Sequence, residues 1–80
     1  MRLDKFLKNS RIIKRRTIAN EACDAGRVSV NGKDAKAGYE VKVGDVIEIR
    51  FGANTTKVEV AAVLENPKKD DANLMYISIT

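Results

Sequence analysis

Apolar residues near the start of the chain recur at helical spacing. Leu3, Phe6 and Leu7 lie at i, i+3 and i+4, which predicts a first helix of about eight residues. On the same helical wheel, Lys5 and Lys8 fall opposite these three residues. The predicted helix therefore buries a narrow apolar stripe and exposes a basic row.

The next apolar set predicts a second helix, which begins at about Arg15 or Arg16 and ends near Ala25, after a connection over residues 10–14. Small side chains dominate its expected inner face, which comprises Ile18, Ala22 and Ala25, with Ala19 and Cys23 beside them. Gly26 is expected to end the helix, because glycine adopts the left-handed C′ conformation at little cost.

After Gly26 the apolar period changes from 3.6 to 2, which is typical of strands. Asn31-Gly32 predicts a type I′ turn, and Gly44-Asp45 lies in a second tight turn. Residues 66–71 have the composition of a surface loop. Extended segments are predicted at Val28 and Val30, at Ile47, Ile49 and Phe51, from Val58 to near Leu64, and at Met75, Ile77 and Ile79, with Thr80 as the last polar position. This order predicts an α+β fold of two helices packed on a small, mostly antiparallel sheet.

The composition narrows the possible classes of protein. Eighty residues form one small domain, and no apolar run is long enough for a membrane span or a secretory signal. The absence of histidine removes the commonest general base and most metal-site patterns. The single cysteine, Cys23, fits a reducing cytoplasm and is expected to be a small buried packing residue. We therefore expect a cytoplasmic protein without membrane contact, cofactor, metal or enzymatic activity.

The charge is concentrated at one end of the chain. Residues 1–16 contain seven basic side chains and one acidic one, a net +6, whereas the other 64 residues contain eight basic and ten acidic ones, a net −2. Such a localised charge indicates a polyanion-binding surface, and nucleic acid is the first candidate. The candidate RNA-binding residues are Arg2, Lys5, Lys8, Arg11, Lys14, Arg15 and Arg16, with Arg27, Lys33 and Lys36 as further candidates.

The residue types favour contacts to phosphate over stacking on bases. Backbone N–H groups at a helix start attract phosphate, and Arg15 and Arg16 place forked donors there. Only four aromatic residues occur, and Phe6 in the basic segment is expected to be buried. Recognition of structured RNA by shape and backbone is therefore expected. Asp4 is either an orienting partner of Arg16 or Lys8, or a helix N-terminal acid favoured by the dipole.

Together, these segments resemble the RNA-binding domain first described in the small-subunit ribosomal protein S4. The matching residues are Arg2, Leu3, Asp4, Phe6 and Leu7 in R-L-D-x-x-L, Arg16 and Ala19 in the second helix, Gly26, Val28, Val30, Asn31 and Gly32 in G-x-V-x-V-N-G, and Gly44-Asp45. The resemblance covers residues 1–51, and residues 52–80 are expected to be a C-terminal strand extension of the same domain. One departure is Arg15, which stands where the family usually has a serine that caps the second helix.

The resemblance also implies a function on the ribosome. The domain is often an appendage of enzymes, but residues 52–80 are too few for a catalytic domain. Stand-alone bacterial members act on the large ribosomal subunit in two ways. One kind binds rRNA and P-site peptidyl-tRNA on obstructed subunits and supports C-terminal tailing of the stalled chain by a partner protein. The other kind is a heat-shock factor that recycles large subunits bearing nascent-chain tRNA. The short C-terminal extension favours the first kind. We also expect the protein to be a monomer when it is not on the ribosome.

Other classes of function remain open from the residues alone. A general polyanion binder would act on DNA, RNA or an anionic membrane surface alike. A regulatory module would instead bind a protein through the sheet face that carries Glu48, Arg50 and Glu59. Charge reversal in the helices would leave that second kind of binding unchanged.

Overall fold

Two short helices precede a sheet, and the predicted α+β class is confirmed. The computed structural model describes residues 1–79, so the predicted final strand position Thr80 lies outside the described residues. The helices are α1 (Leu3–Asn9) and α2 (Arg16–Asp24). The strands within residues 1–79 are β1 (Val28–Val30), β2 (Lys33–Asp34), β3 (Val46–Phe51), β4 (Asn54–Val60) and β5 (Tyr76–Ser78), with a 3₁₀ helix at Lys69–Leu74.

The five described strands form one antiparallel sheet in the order β2-β1-β3-β4-β5. Val30 pairs with Lys33, so only Asn31 and Gly32 connect β1 to β2. These two residues have φ of 53° and 84°, the positive values that a type I′ turn requires. The predicted hairpin is therefore confirmed.

The helices cover one face of the sheet. The three apolar residues of α1, Leu3, Phe6 and Leu7, have no exposed surface, as their spacing predicts. They belong to the same buried cluster as the inward residues of β3 and β4, which are Ile47, Ile49, Val58 and Val60. Burial of each large side chain stabilises the fold by about 1.5–3 kcal/mol, so this cluster fixes α1 on the sheet.

The inner face of α2 differs from the prediction. Ala19, Ala22 and Cys23 are the buried residues of α2, whereas Ile18 is 44% exposed and Ala25 is exposed. Small side chains at these buried positions let α2 approach α1 and the sheet closely, so the larger Ile18 is turned outward. Gly26 follows the helix with a φ of 76°, as expected for a C′ glycine.

The C-terminal predictions need three corrections. Strand β4 ends at Val60 rather than near Leu64, because the N–H groups of Ala61 and Ala62 both bond to the Met75 carbonyl and curl the chain. Part of the predicted 66–71 loop belongs to the 3₁₀ helix. In the last segment only Met75 is buried; Ile77 pairs with Glu59 on the sheet face away from the helices, and Ile77 and Ile79 are both exposed.

Candidate nucleic-acid interface

The buried carboxylate of Asp4 lies between two of the predicted cations, Arg2 and Arg16. Asp4, in the first turn of α1, is only 2% exposed. Its Oδ1 accepts hydrogen bonds from Arg2 Nε at 3.2 Å and from the backbone N–H of Lys5 at 2.9 Å. Its Oδ2 accepts from Arg16 Nε at 3.3 Å and from Asn20 Nδ2 at 3.2 Å. One acid thus joins the start of α1 to the first two turns of α2.

This cluster keeps Asp4 ionised. Burial opposes ionisation of the carboxyl, but hydrogen bonds from Asn20, Arg16 and Arg2 outweigh it and hold the pKa of Asp4 below its ordinary value of 3.8. The arginines meanwhile remain accessible, since the side chains of Arg2 and Arg16 are 53% and 49% exposed. Of the two partners predicted for Asp4, Arg16 makes the contact and Lys8 does not. Its orienting role stays a prediction.

The start of α2 has no side-chain cap. Arg15 occupies the N-cap position, with extended backbone and no capping hydrogen bond. The first N–H groups of a helix lack intrahelical partners and attract anions. Arg15 and Arg16 are both exposed beside these donors. The absence of the family serine therefore leaves an open, cationic helix start.

Helix α1 contacts the segment that follows β4 through Lys5 and Asn9. Lys5 Nζ and Glu65 Oε2 form an ion pair at 2.6 Å. Asn9 Nδ2 donates to the carbonyl oxygens of Leu64 and Glu65, at 3.2 and 3.1 Å. Lys5 is therefore not a free cation, although its position on α1 predicted one. Glu65 is the acid that neutralises it, and this ion pair lowers the pKa of Glu65.

Three predicted cations surround a groove at the same end of α1. Lys8, Arg11 and Lys14 line it together with Asn9, and the segment 65–67 forms the opposite wall. Arg11 has a φ of 62°, which is the left-handed region that few non-glycine residues adopt. Within residues 1–79, none of these three cations forms an ion pair.

The remaining predicted cations lie elsewhere. Lys36 Nζ donates to the carbonyl of Asp24, the last residue of α2, at 3.4 Å. Arg27 also lies beyond this end of the helix, whose last residue is about 12 Å along the axis from Arg16 at 1.5 Å per residue. Lys33 lies in the β1–β2 hairpin. The structure does not bring these three into the cluster around Asp4, and their RNA contact stays a prediction.

On the sheet face proposed for a protein partner, Arg50 is engaged in internal contacts. The Arg50 guanidinium donates to Ser29 Oγ at 3.0 Å and to the Gly26 carbonyl at 2.8 Å. It also contacts the carboxylates of Asp34 and Glu48, at 3.3 and 3.4 Å. These bonds join three strands and the end of α2, so Arg50 has a structural role.

Three asparagines make contacts that the sequence analysis missed. Asn20 on α2 lies four residues after Arg16, so this spacing could have indicated that they share a helix face. No local sequence pattern indicates the contacts of Asn9 with residues 64 and 65, which are distant in the sequence. Asn31, predicted only as a turn residue, also accepts a hydrogen bond at Oδ1 from Val46 N–H at 2.9 Å and donates to Asp45 at 3.1 Å.

The described residues also bear on metal, membrane and thiol chemistry. No group of three potential metal-binding side chains occurs among residues 1–79. None of the helices described there has the length and apolar character needed to cross a membrane. Cys23 is fully buried, as predicted, and burial raises the pKa of its thiol to about 11. Its thiol packs in the core.

This chain is similar to a known domain family and to several named bacterial proteins. The S4 domain model matches residues 1–47. The RQC P-site tRNA stabilizing factor of Halalkalibacterium halodurans is 55% identical over 76 residues, which are 95% of this chain and 86% of that protein. A heat shock protein 15 homolog of Aeromonas salmonicida is 35% identical over 77 residues, which are 95% of this chain but 58% of that protein.

A solved structure shares the whole fold. The trimeric structure of Vibrio cholerae heat shock protein 15 superposes with a TM-score of 0.88 at 28% identity, over 98% of this chain and 80% of that one. The matched segment 1–47 contains both helices, β1, β2 and the G-D turn, and therefore the whole Asp4 cluster. The chain belongs to the S4 domain family.

Proposed function

We propose that this protein is a non-catalytic RNA-binding factor that acts in the cytoplasm on the large ribosomal subunit. It would contact rRNA and P-site peptidyl-tRNA and support C-terminal tailing of stalled nascent chains by a partner protein. The observation that carries the proposal is the Asp4 cluster, because it fixes two half-exposed arginines beside an uncapped, cationic helix start. Rigid guanidinium groups can bind phosphate oxygens with two parallel hydrogen bonds.

The relatives support tRNA as a ligand. A protein named as a P-site tRNA stabilizing factor is 55% identical to this chain, and the match extends over most of both chains. The match to the heat-shock homolog covers 58% of that protein at 35% identity. Recycling of large subunits with nascent-chain tRNA is the second candidate function.

The proposed binding residues differ in their availability. Arg2, Arg15 and Arg16 form the central set, because they lie around Asp4 and the start of α2. Lys5 is expected to contribute less, since Glu65 neutralises it. We further propose that residues 52–80 complete the same domain, because β4 pairs with β3 from Asn54 to Glu59.

Arg16→Ala tests the proposal. The variant should keep the fold, because Arg16 is half-exposed, and should lose most of its co-sedimentation with large subunits that contain peptidyl-tRNA. Lys69→Ala removes an exposed cation on the 3₁₀ helix and is the matched control. If Arg16→Ala associates with large subunits as well as the control does, the proposed RNA-binding face is wrong.

A second measurement separates the two candidate functions. The rate of tRNA loss from the P site of isolated large subunits should fall when this protein is added, if it supports tailing. A faster release of tRNA would instead favour recycling. Arg16→Ala, which is expected to bind large subunits weakly, should change the rate of tRNA loss less than the wild type does.

A further inference from the structure

A second group of cations lies at the other end of α1 from the Asp4 cluster. We propose that Lys8, Arg11 and Lys14, together with the segment 65–67, form a separate binding site for the phosphodiester backbone of RNA. The inference rests on the proposed function, because it assumes that the ligand is RNA. It adds a site to the one around Arg2 and Arg16, built partly from residues that follow the matched S4 segment 1–47.

The groove has room for part of a nucleotide chain. Its volume is about 460 Å³, and it is lined by Lys8, Asn9, Arg11, Lys14, Glu65, Asn66 and Pro67. No aromatic side chain is among these residues, so a base would find no stacking platform. The chemistry of the lining instead suits an extended anion with hydrogen-bond acceptors, which describes a sugar–phosphate backbone.

The electrostatics of the groove favour an anion strongly. Lys8, Arg11 and Lys14 are exposed and form no ion pair among residues 1–79, in contrast to Arg2, Lys5 and Arg16, which each have an acidic partner. Glu65 is the acidic residue of the lining, and its carboxylate is paired with Lys5 at 2.6 Å. Three unpaired positive charges therefore surround one cavity, and an incoming phosphate would displace only their counterions.

Both walls of the groove are fixed before any ligand binds. On one side, Arg11 N–H bonds to the Lys8 carbonyl at 3.0 Å and the buried Ile13 anchors the connection in the core. On the other side, the Asn9 amide donates to the carbonyls of residues 64 and 65. The backbone of the groove is thus preorganised, which lowers the conformational entropy that binding costs.

The backbone of Arg11 is a further sign that its position matters. A left-handed φ of 62° disfavours any residue with a Cβ, and glycine would adopt it freely. The strained backbone directs the connection so that Arg11 lines the groove between Lys8 and Lys14. Strained residues of this type cluster at functional sites.

The test measures how RNA affinity depends on salt. Binding to large subunits that contain peptidyl-tRNA is measured for the wild-type protein and for the double variant Lys8→Gln/Arg11→Gln. If both cations neutralise phosphates, the slope of log K against log salt concentration should fall in magnitude by about 1.4, at roughly 0.7 per contact. Lys69→Gln changes the charge at a position outside the groove and should leave the slope unchanged.

A second variant tests the C-terminal wall without changing any charge. Asn9→Ala removes both hydrogen bonds to the segment 64–65. We expect affinity to fall severalfold while the salt slope stays at the wild-type value. Circular dichroism and thermal unfolding confirm that each variant is folded before binding is interpreted.

The outcomes separate this inference from the proposed function. If the double variant keeps the wild-type slope while Arg16→Ala loses ribosome binding, the groove site is wrong and the proposed function stands. If the wild type itself does not bind large subunits, both are wrong. Inorganic pyrophosphate that competes at micromolar concentration would also overturn the inference, since it would identify a small-anion site rather than one for RNA.

Discussion

Arg16 Nε on α2 donates to Asp4 Oδ2 on α1 at 3.3 Å, across twelve positions of the sequence. The other oxygen of the same carboxylate accepts from Arg2 Nε at 3.2 Å. Since Asp4 is buried and both arginines are half-exposed, the carboxylate fixes the direction of two guanidinium groups while their outer parts stay in solvent. We therefore expect the acid to matter as much for RNA binding as the cations do.

Asp4→Asn is expected to weaken RNA binding even though it raises the net charge by one. The amide cannot accept four hydrogen bonds, so the two arginines lose their orientation. The free energy of unfolding should fall by about 1–3 kcal/mol, the range for bonds to a buried charged group. Denaturant unfolding and RNA titration measure the two effects.

Asp24→Asn is the matched control for this change. It removes one exposed acid at the end of α2 and leaves the Asp4 cluster intact. A generic charge effect would make both variants bind RNA more tightly. Tighter binding by Asp4→Asn would therefore show that the orienting role is wrong.

Acid should destabilise the wild type through Asp4. The pKa of this carboxyl is lowered in the folded protein, so its stabilising contribution is present above 3.8 and is lost as the pH falls through the lower folded value. Thermal unfolding between pH 6 and pH 2.5 should show a decline for the wild type below about pH 4. Asp4→Asn should show a smaller decline, and equal declines would contradict the assignment.

Arg11→Gly is expected to separate backbone strain from charge. Glycine relieves the cost of a positive φ, about 1–2 kcal/mol, but loses more entropy on folding, so the two terms nearly cancel. The free energy of unfolding should stay within about 1 kcal/mol of the wild type, while RNA affinity falls. A large loss of stability would show that the Arg11 side chain has a structural role.

Glu65→Gln should release Lys5 for phosphate contact. The ion pair at 2.6 Å would be lost, and one more cation would become available on α1. RNA affinity should rise and the salt slope should steepen by about 0.7. Glu59→Gln, on the sheet face away from the helices, makes the same charge change and should alter the slope less.

The Cys23 thiol is expected to be inert in the folded protein. It is fully buried between the helices and the sheet, and burial raises its pKa to about 11. Labelling by a thiol reagent should therefore be slow and should accelerate in parallel with denaturant unfolding. Fast labelling under native conditions would indicate local opening of α2.

The periodicity of large apolar residues predicted much of this fold. In α1, Leu3, Phe6 and Leu7 are all large, so only one side of the helix can face the core. In α2 the buried set consists of small residues, so the single large one, Ile18, shifted the predicted face. In the last segment, Ile77 alternates as a core strand does but lies at the sheet edge on the uncovered side. Local pattern gives the period of an element but not always which face is covered.

The basic cluster was likewise predictable in position but not in detail. Its charges are adjacent in sequence, so composition alone located them at residues 1–16. The partners that decide which cations are free are distant: Glu65 lies sixty positions from Lys5, and the Asn9 contacts span a similar distance. No local pattern encodes such pairs. They depend on how β4 returns the chain to α1.

Arg2 and Arg16 both donate to Asp4 through Nε, and this affects which ligands the two arginines can distinguish. Each guanidinium already has its charge partly balanced by Asp4, and each keeps only its terminal nitrogens for a ligand. Such a face responds to the spacing and direction of acceptors more than to charge density. Flexible polyanions such as heparin or polyphosphate should therefore compete poorly with folded RNA, although they are more highly charged.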